Sequence, residues 1–338
     1  ANIVYTGYTL NGVPALLPQS SYGNNDLKPE RKHEVEVGWE TRMFNNRFGF
    51  DVSYYNNTIK GQIINLTVPS STGANSIWKN VGDLNNYGIE LAINGTPVSG
   101  RNFDWNLRGT LGYNKNKLKS LTPGLDRLVL SNVDNGSLLV TAEVGSVAGD
   151  IMGYKRLKNA QGQYVVDADG YYVIDFDHQV KMGNIQPDLT GGLSNSLRYK
   201  NFNLDFLLDF RWGGQIISTS NFYGIGAGMF NSTLWGRDAA HGGLPYYVDA
   251  DGKNVLITAQ QPAPSGAKVY NDGVIIDGVT ADGKKNETVL EAANYYLGTY
   301  SWGAWPGSGS TNAYEGAIFD NNYIKFRELS LNYTLPVK

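Results

Sequence analysis

An all-β fold is predicted for this 338-residue chain, and three observations predict it. Composition is the first: aromatics reach 12%, charged residues only 17%, with 41 glycines and 22 tyrosines. That mix is rich in strand and turn formers and poor in helix formers. The second is a strict two-residue alternation of apolar and polar side chains, since successive strand residues point to opposite faces. The third is a set of tight-turn signals between alternating runs, which together give about seven strands. Each is close to the ~10 residues that a tilted strand needs to cross a bilayer.

The elements follow in order. Near 33–44, Val35, Val37, Trp39 and Met43 oppose Glu34, Glu36, Glu40 and Arg42. "NNR" at 45–47 supplies Asn45 and Asn46, which tolerate the left-handed backbone of a hairpin turn. The return strand, near 47–57, sets Phe48, Phe50, Val52 and Tyr54 against Asp51 and Ser53. A second hairpin joins 86–96, with Tyr87, Ile89, Leu91 and Ile93 on one face, to 102–114. There "NFDWNLRGTLGYN" puts Phe103, Trp105, Leu107, Leu111 and Tyr113 opposite Asp104, Asn106, Arg108 and Thr110. A third joins 188–199 to 202–214, turning at Lys200 and Asn201, and a last strand is predicted near 322–335.

Alternation alone fits a soluble sandwich, with its apolar face in a core, or a membrane barrel, with that face in lipid. Connection lengths separate the two. Tight connections at 45–47, 97–102 and 200–201 alternate with long ones near 58–85, 115–187 and 215–321. Short turns at one end and long external loops at the other belong to transmembrane barrels, whereas sandwiches distribute loops over both ends. Phe44, Phe48, Phe103, Trp105, Tyr199 and Phe202 also sit beside the tight turns on the apolar face, where an interfacial aromatic girdle belongs. The expectation is therefore an antiparallel transmembrane β-barrel fragment with long extracellular loops. Asp104, Asn106, Arg108, Asp205, Asp209 and Arg211 are expected to line its lumen, the two aspartates as solvated lining or as ion-pair partners of Arg211.

Bulk properties exclude several other classes. A net charge of -3 argues against binding nucleic acid through its phosphates. The absence of cysteine rules out disulfides and thiolate metal sites. No run approaches the roughly 20 apolar residues of a membrane-spanning helix. A mean hydropathy of -0.33 is nonetheless compatible with a barrel, whose alternating strands average out as polar. The opening "ANIVYTGYTLNG" carries no export-signal pattern.

Four stretches together resemble one family: "LKPERKHEVEVGWETRMFNNRFGFDVSYYNNTIKGQI", "NVGDLNNYGIELAINGTPV", "GNIQPDLTGGLSNSLRYKNFNLDFLLDFRWGGQI" and "NNYIKFRELSLNYTLP". They look like the barrel of a SusC/RagA-type TonB-dependent outer-membrane transporter of Bacteroidetes, in the same order over most of the chain. The resemblance implies a barrel of about 22 strands with a plug. It also implies a SusD-like surface lipoprotein as lid, energy from TonB, the outer membrane of a Gram-negative cell as location, and usually an oligosaccharide, less often a peptide, as cargo. About seven strands cannot close a barrel, and open edges do not survive in lipid. The sequence is accordingly expected to be a piece of such a transporter, with the plug that contacts TonB and the final strands outside it.

Candidate ligand contacts concentrate in the long segment up to 321. Trp235, Tyr246, Tyr247, Tyr295, Tyr296, Tyr300, Trp302 and Trp305 lie among glycines, asparagines and aspartates, a composition suited to stacking on sugar rings and binding hydroxyls. The alternative is that these rings pack the loops together or meet the lid protein. "VVDADGYYVID" and "YVDADGKNVLI" repeat one another and read as hairpin turns with Gly170 and Gly252 at positive φ. Asp167, Asp169, Asp175 and Asp177 come near the spacing of a calcium loop, a weaker reading. His33, His178 and His241 are scattered with no zinc spacing, and no nucleophile motif stands out, so no enzyme and no cofactor are expected. The leading function is glycan import through the outer membrane. Peptide import by the same architecture, a soluble carbohydrate-binding β-domain and a structural adhesin barrel remain the alternatives.

Overall fold

The computed structural model describes residues 5–18, 21–303 and 306–336. Its frame is one antiparallel sheet: β1 (Arg31–Met43), β2 (Phe48–Thr67), β3 (Ser76–Ser99), β4 (Phe103–Leu121), β5 (Leu189–Tyr199), β6 (Phe202–Trp212) and β7 (Tyr323–Tyr333). Each strand pairs with its neighbours in chain order, so the sheet is a simple up-and-down meander, with Ser21–Tyr22 laid parallel to β3 at one point. β1 and β7 form its two edges and are exposed along their length. No helix among the described residues is long and apolar enough to cross a membrane.

Turn chemistry explains the tight connections. Met43 pairs with Phe48, and between them Phe44, Asn45 and Asn46 all take left-handed backbone at φ 54°, 55° and 67°. The two asparagines behave as the sequence predicts. Tyr199 pairs with Phe202 across a turn whose Lys200 sits at φ 52°.

The strands run further than alternation indicates. The segments taken as ending near 57, and as beginning near 86, form one long hairpin that closes at Thr67 opposite Ser76. The loop expected at 58–85 is thus mostly strand, and β4 continues to Leu121. β-Bulges are the reason: pairing slips between Ile59 and Ile63, and again between Asp83 and Leu84. Each slip breaks the two-residue period that the sequence reading follows.

Above the bulges, the face of β4 that carries Asn114 and Asn116 turns apolar. Leu118 and Val81 are buried there with Leu128 and Ala142, so the hairpin Arg127–Val133/Leu138–Glu143 packs against the polar side of the sheet at its long-loop end. That hairpin extends into a four-stranded sheet with Asp150–Gly153 and Val180–Asn184. A second small sheet orders Asn254–Leu256, Leu244–Val248, Val269–Val274 and Leu290–Glu291. Helices α1 (Thr219–Gly226) and α2 (Ala292–Thr299) pack on each other between the sheets. Residues 115–187 and 215–321, expected as loops, are therefore largely folded subdomains with a core of their own. It is built on Leu138, Ile151, Phe222, Tyr314 and Ala317. Short strands of two to seven residues carry too little periodic signal to be read from sequence.

Candidate functional site

The sheet has two chemically opposite faces, and strand register fixes which residues share them. On the apolar face Phe103, Trp105, Leu107, Gly109 and Leu111 stand beside Tyr199, Leu197, Asn195, Leu193 and Gly191. The next strand continues the rows with Phe202, Leu204, Phe206, Leu208 and Phe210. No charged side chain occupies any of these positions. The row is capped at the tight-turn end by Phe103, Tyr199, Phe202 and Tyr333, the last two rings 4.7 Å apart. About ten residues along, the span of one bilayer crossing, Tyr113 and Trp212 form a second rim beside Leu189. Among the described residues nothing covers these positions of the face: Trp39, Tyr199, Trp212, Leu329 and Leu331 are each more than half exposed.

Glycine in these strands makes room for rings. A Cβ on Gly191 would fall 2.3 Å from the Thr110 carbonyl oxygen and 2.4 Å from the Phe210 ring directly across the ladder. The ring therefore lies over bare backbone, which accounts for a residue otherwise poor in strands.

The polar face holds every residue expected to line a lumen. Asp104 pairs with Arg198 on the adjacent strand and also accepts from Ser99 Oγ at 3.0 Å. Asn106 Oδ1 accepts from Thr96 Oγ1 at 2.9 Å. Arg108 lines a hollow of about 360 Å³ with Asp51, Glu90, Thr110 and Thr190. Of the two readings of Asp205 and Asp209, solvated lining or partners of Arg211, the pairing with Arg211 does not form. Asp209 pairs with Arg327, Asp205 accepts from Asn203 and Ser330, and Arg211 Nη2 donates to the Ile185 carbonyl at 2.7 Å. The reason is register: Asp209 faces Lys325 across β7, and the bulge between Leu207 and Leu208 brings Arg327 within reach.

The aromatic candidates form a chain of ring contacts. Trp235 meets Tyr295 edge-on at 5.7 Å, Tyr295 meets Tyr300 at 6.4 Å, Tyr300 meets Phe222 at 5.4 Å, and Phe222 leads through Tyr223 to Trp302, stacked at 6.0 Å. Its middle is core and its ends are open: Tyr296 is 5% exposed, whereas Trp235 is 46% and Trp302 72% exposed. Tyr246 is buried and stacks on Tyr270 at 5.2 Å, with Tyr247 half-buried beside it. Burial pushes the Tyr295, Tyr296 and Tyr246 phenols above their ordinary range, so all three are neutral hydrogen-bonding groups. Trp305 lies outside the described residues.

The repeated DADG stretches are matching turns. Asp167 Oδ1 accepts from the backbone N–H of Asp169 and Tyr171 at 3.0 and 2.9 Å. Asp249 Oδ1 accepts from Asp251 and Lys253 at 2.9 and 2.8 Å. Gly170 and Gly252 close them at φ 88° and 78°. Asp175 meanwhile faces His178 Nδ1 at 3.0 Å. Of the four aspartates of the calcium reading, Asp167 caps one turn and Asp175 another, where it accepts from the Asp177 N–H. Among the described residues no three His, Asp or Glu side chains come together as metal ligands.

Sequence reasoning missed two features. Tyr223 and Tyr314, far apart in sequence, both donate to the carboxylate of Asp134, which sits at a left-handed turn of φ 51°. Arg237, in a run with no pattern, is seated at a pocket between the helices. Both arise from long-range packing that leaves no local signal.

Comparison with known proteins gives the context of this two-faced sheet. The family model described as TonB dependent receptor-like, beta-barrel matches residues 3–224. The chain is 31% identical over 234 residues to TonB-dependent receptor P26 of Formosa agariphila, covering 63% of this chain and 23% of that protein. It is 26% identical over 196 residues to TonB-dependent receptor SusC of Bacteroides thetaiotaomicron, covering 55% and 20%. The chain's matches thus span about a quarter of these relatives' length. Among solved structures, that of the RagAB peptide transporter superposes with a TM-score of 0.61 at 20% identity, over 99% of this chain and 32% of that one. An uncovered apolar belt backed by an ion-paired polar face is the cross-section of an outer-membrane barrel wall. The chain belongs to the TonB-dependent receptor-like β-barrel family.

Proposed function

We propose that this chain forms part of the lumen wall and outer vestibule of an outer-membrane transporter that imports an oligosaccharide. TonB energises it, and a SusD-like surface lipoprotein serves as its lid. The observation that carries the transport reading is the division of the sheet. Three adjacent strands present only uncharged side chains to one side between two aromatic rims, and Asp104–Arg198 and Asp209–Arg327 to the other. A wall of that kind separates lipid from an aqueous path.

For the cargo, the support is the pair of open indoles. Trp235 and Trp302 project from a rigid ring chain, among backbone and side-chain amides that suit hydroxyl groups. The same segment holds a groove of about 730 Å³ whose lining includes Asp249, Lys253, Asn254, Gln261, Asn286 and Glu287. Replacing Trp235 and Trp302 together with alanine in the intact transporter should lower uptake of its oligosaccharide about tenfold at unchanged outer-membrane abundance. Wild-type uptake of peptides but not of any oligosaccharide would overturn the cargo assignment.

A further inference from the structure

A pocket of about 380 Å³ opens between α1 and α2, lined by Gly226, Ala227, Arg237, Asp272, Ala292, Ala293 and Tyr296. Its guanidinium is built in place. Arg237 Nε donates to the Thr233 carbonyl at 2.7 Å, and Nη2 donates to the Gly228 carbonyl and to Thr233 Oγ1, both at 3.3 Å. Gly228 is required for that seat, because a Cβ there would fall 1.8 Å from Arg237 Nη2, at a backbone φ of 70°. All three acceptors are neutral and Arg237 is in none of the ion pairs among the described residues, so its guanidinium is held by uncharged groups, and the one carboxylate at the pocket is Asp272. Those bonds use Nε and Nη2 and leave the two Nη1 donors, so a carboxylate can be held there by a charge-assisted bond from one nitrogen.

The opposite wall wants a donor. Asp272 lines the same pocket; the Tyr246 phenol lies against its carboxylate, and Oδ1 is buried without a hydrogen bond of its own. A buried, unpaired carboxylate oxygen is costly and is relieved by any hydroxyl brought beside it. Between them the walls are the methyl groups of Ala227, Ala292 and Ala293, which leave room for one ring. Tyr296 in the pocket wall donates to the Trp235 carbonyl at 3.1 Å, which ties the loop carrying the exposed Trp235 to the same wall.

We infer that this pocket recognises a carboxylated sugar residue, a uronate, within the imported glycan, with Arg237 holding the carboxylate and Asp272 accepting from a ring hydroxyl. The inference rests on the oligosaccharide reading above and narrows it to acidic glycans.

Calorimetry on the purified intact transporter tests it with three probes: a tetragalacturonate, its full methyl ester and an aspartate-containing dipeptide. The acid should bind at least about tenfold more tightly than the ester, with an affinity that falls as salt rises. Arg237→Gln should remove that difference. Because Arg237 also ties its loop together, a second variant, Ala293→Glu, places an internal carboxylate at the pocket while keeping those hydrogen bonds. A glutamate in the first turn is compatible with the helix. It should abolish acid binding and leave the unfolding profile unchanged. Equal binding of acid and ester, or acid binding indifferent to both variants, overturns the inference. Tighter Arg237-dependent binding of the dipeptide than of the sugar acid overturns it as well. Neutral oligosaccharide uptake that depends on Trp235 and Trp302 while the acid fails to bind would remove the uronate site and leave the proposed function standing.

Discussion

Trp105 Nε1 donates to Asn195 Oδ1 at 3.2 Å across the β4–β5 ladder. Asn195 is 5% exposed and stands on the apolar face between Leu107 and Phe206. An amide in a lipid-facing row is expensive unless it is bonded, and the indole supplies the donor while adding its own apolar area.

Trp105→Phe should therefore destabilise the barrel by about 1–3 kcal/mol, because it leaves the amide carbonyl unpaired. Trp105→Phe combined with Asn195→Leu should recover most of the loss. Denaturant unfolding in lipid vesicles measures both, and an additive double variant would show that the two side chains are not coupled.

A charge placed mid-belt distinguishes the two faces. Leu208→Lys should cost about 2–4 kcal/mol and reduce assembly into the outer membrane. Ser194→Lys, on the polar face beside Arg108, should assemble normally. Heat-modifiable mobility on gels reads the folded fraction of each.

The loop core should loosen in alkali while the strands persist. Burial, and then the Asp134 carboxylate, push the Tyr314 phenol well above its ordinary value of 10.0. The folded state thus favours the neutral phenol. Its contribution is complete below pH about 10 and shrinks as pH rises from there toward the raised folded value. Limited proteolysis within 213–321 should accelerate above pH about 10. Tyr314→Phe should be cut faster even at neutral pH, since it loses the bond to Asp134.

Crowding over glycine gives a fourth expectation. Gly191→Ala sets a methyl against both the Thr110 carbonyl and the Phe210 ring and should destabilise by about 1–3 kcal/mol. Gly191→Ala with Phe210→Leu should restore part of that, as read by the same unfolding experiment.

Some features are decided by residues close together in the chain. The period-two runs place Phe103 to Tyr113 and Phe202 to Trp212 on one face, because adjacent strand side chains must point oppositely. Asn45 and Asn46 fix a tight turn because they tolerate positive φ. The DADG stretches fix two more through an aspartate oxygen that caps backbone N–H groups two and four residues on. These are local interactions, so a sequence carries them openly.

Other features depend on which distant strands come together, and only the tertiary structure decided them. The bulges that lengthen β2 and β3 arise from pairing, and they erased the alternation that would have announced those strands. Arg211 and Arg327 both lie near Asp209 in principle, but the register of β6 on β7 gave the pair to Arg327. Residues 115–187 and 215–321 read as loops because their strands are short and their core is made by partners such as Leu138, Phe222 and Tyr314, far apart in the chain. For the same reason Asp134 gained two phenols and Arg237 a pocket. Backbone periodicity is written residue by residue, whereas a site assembled across long sequence separations exists only once the chain has closed on itself.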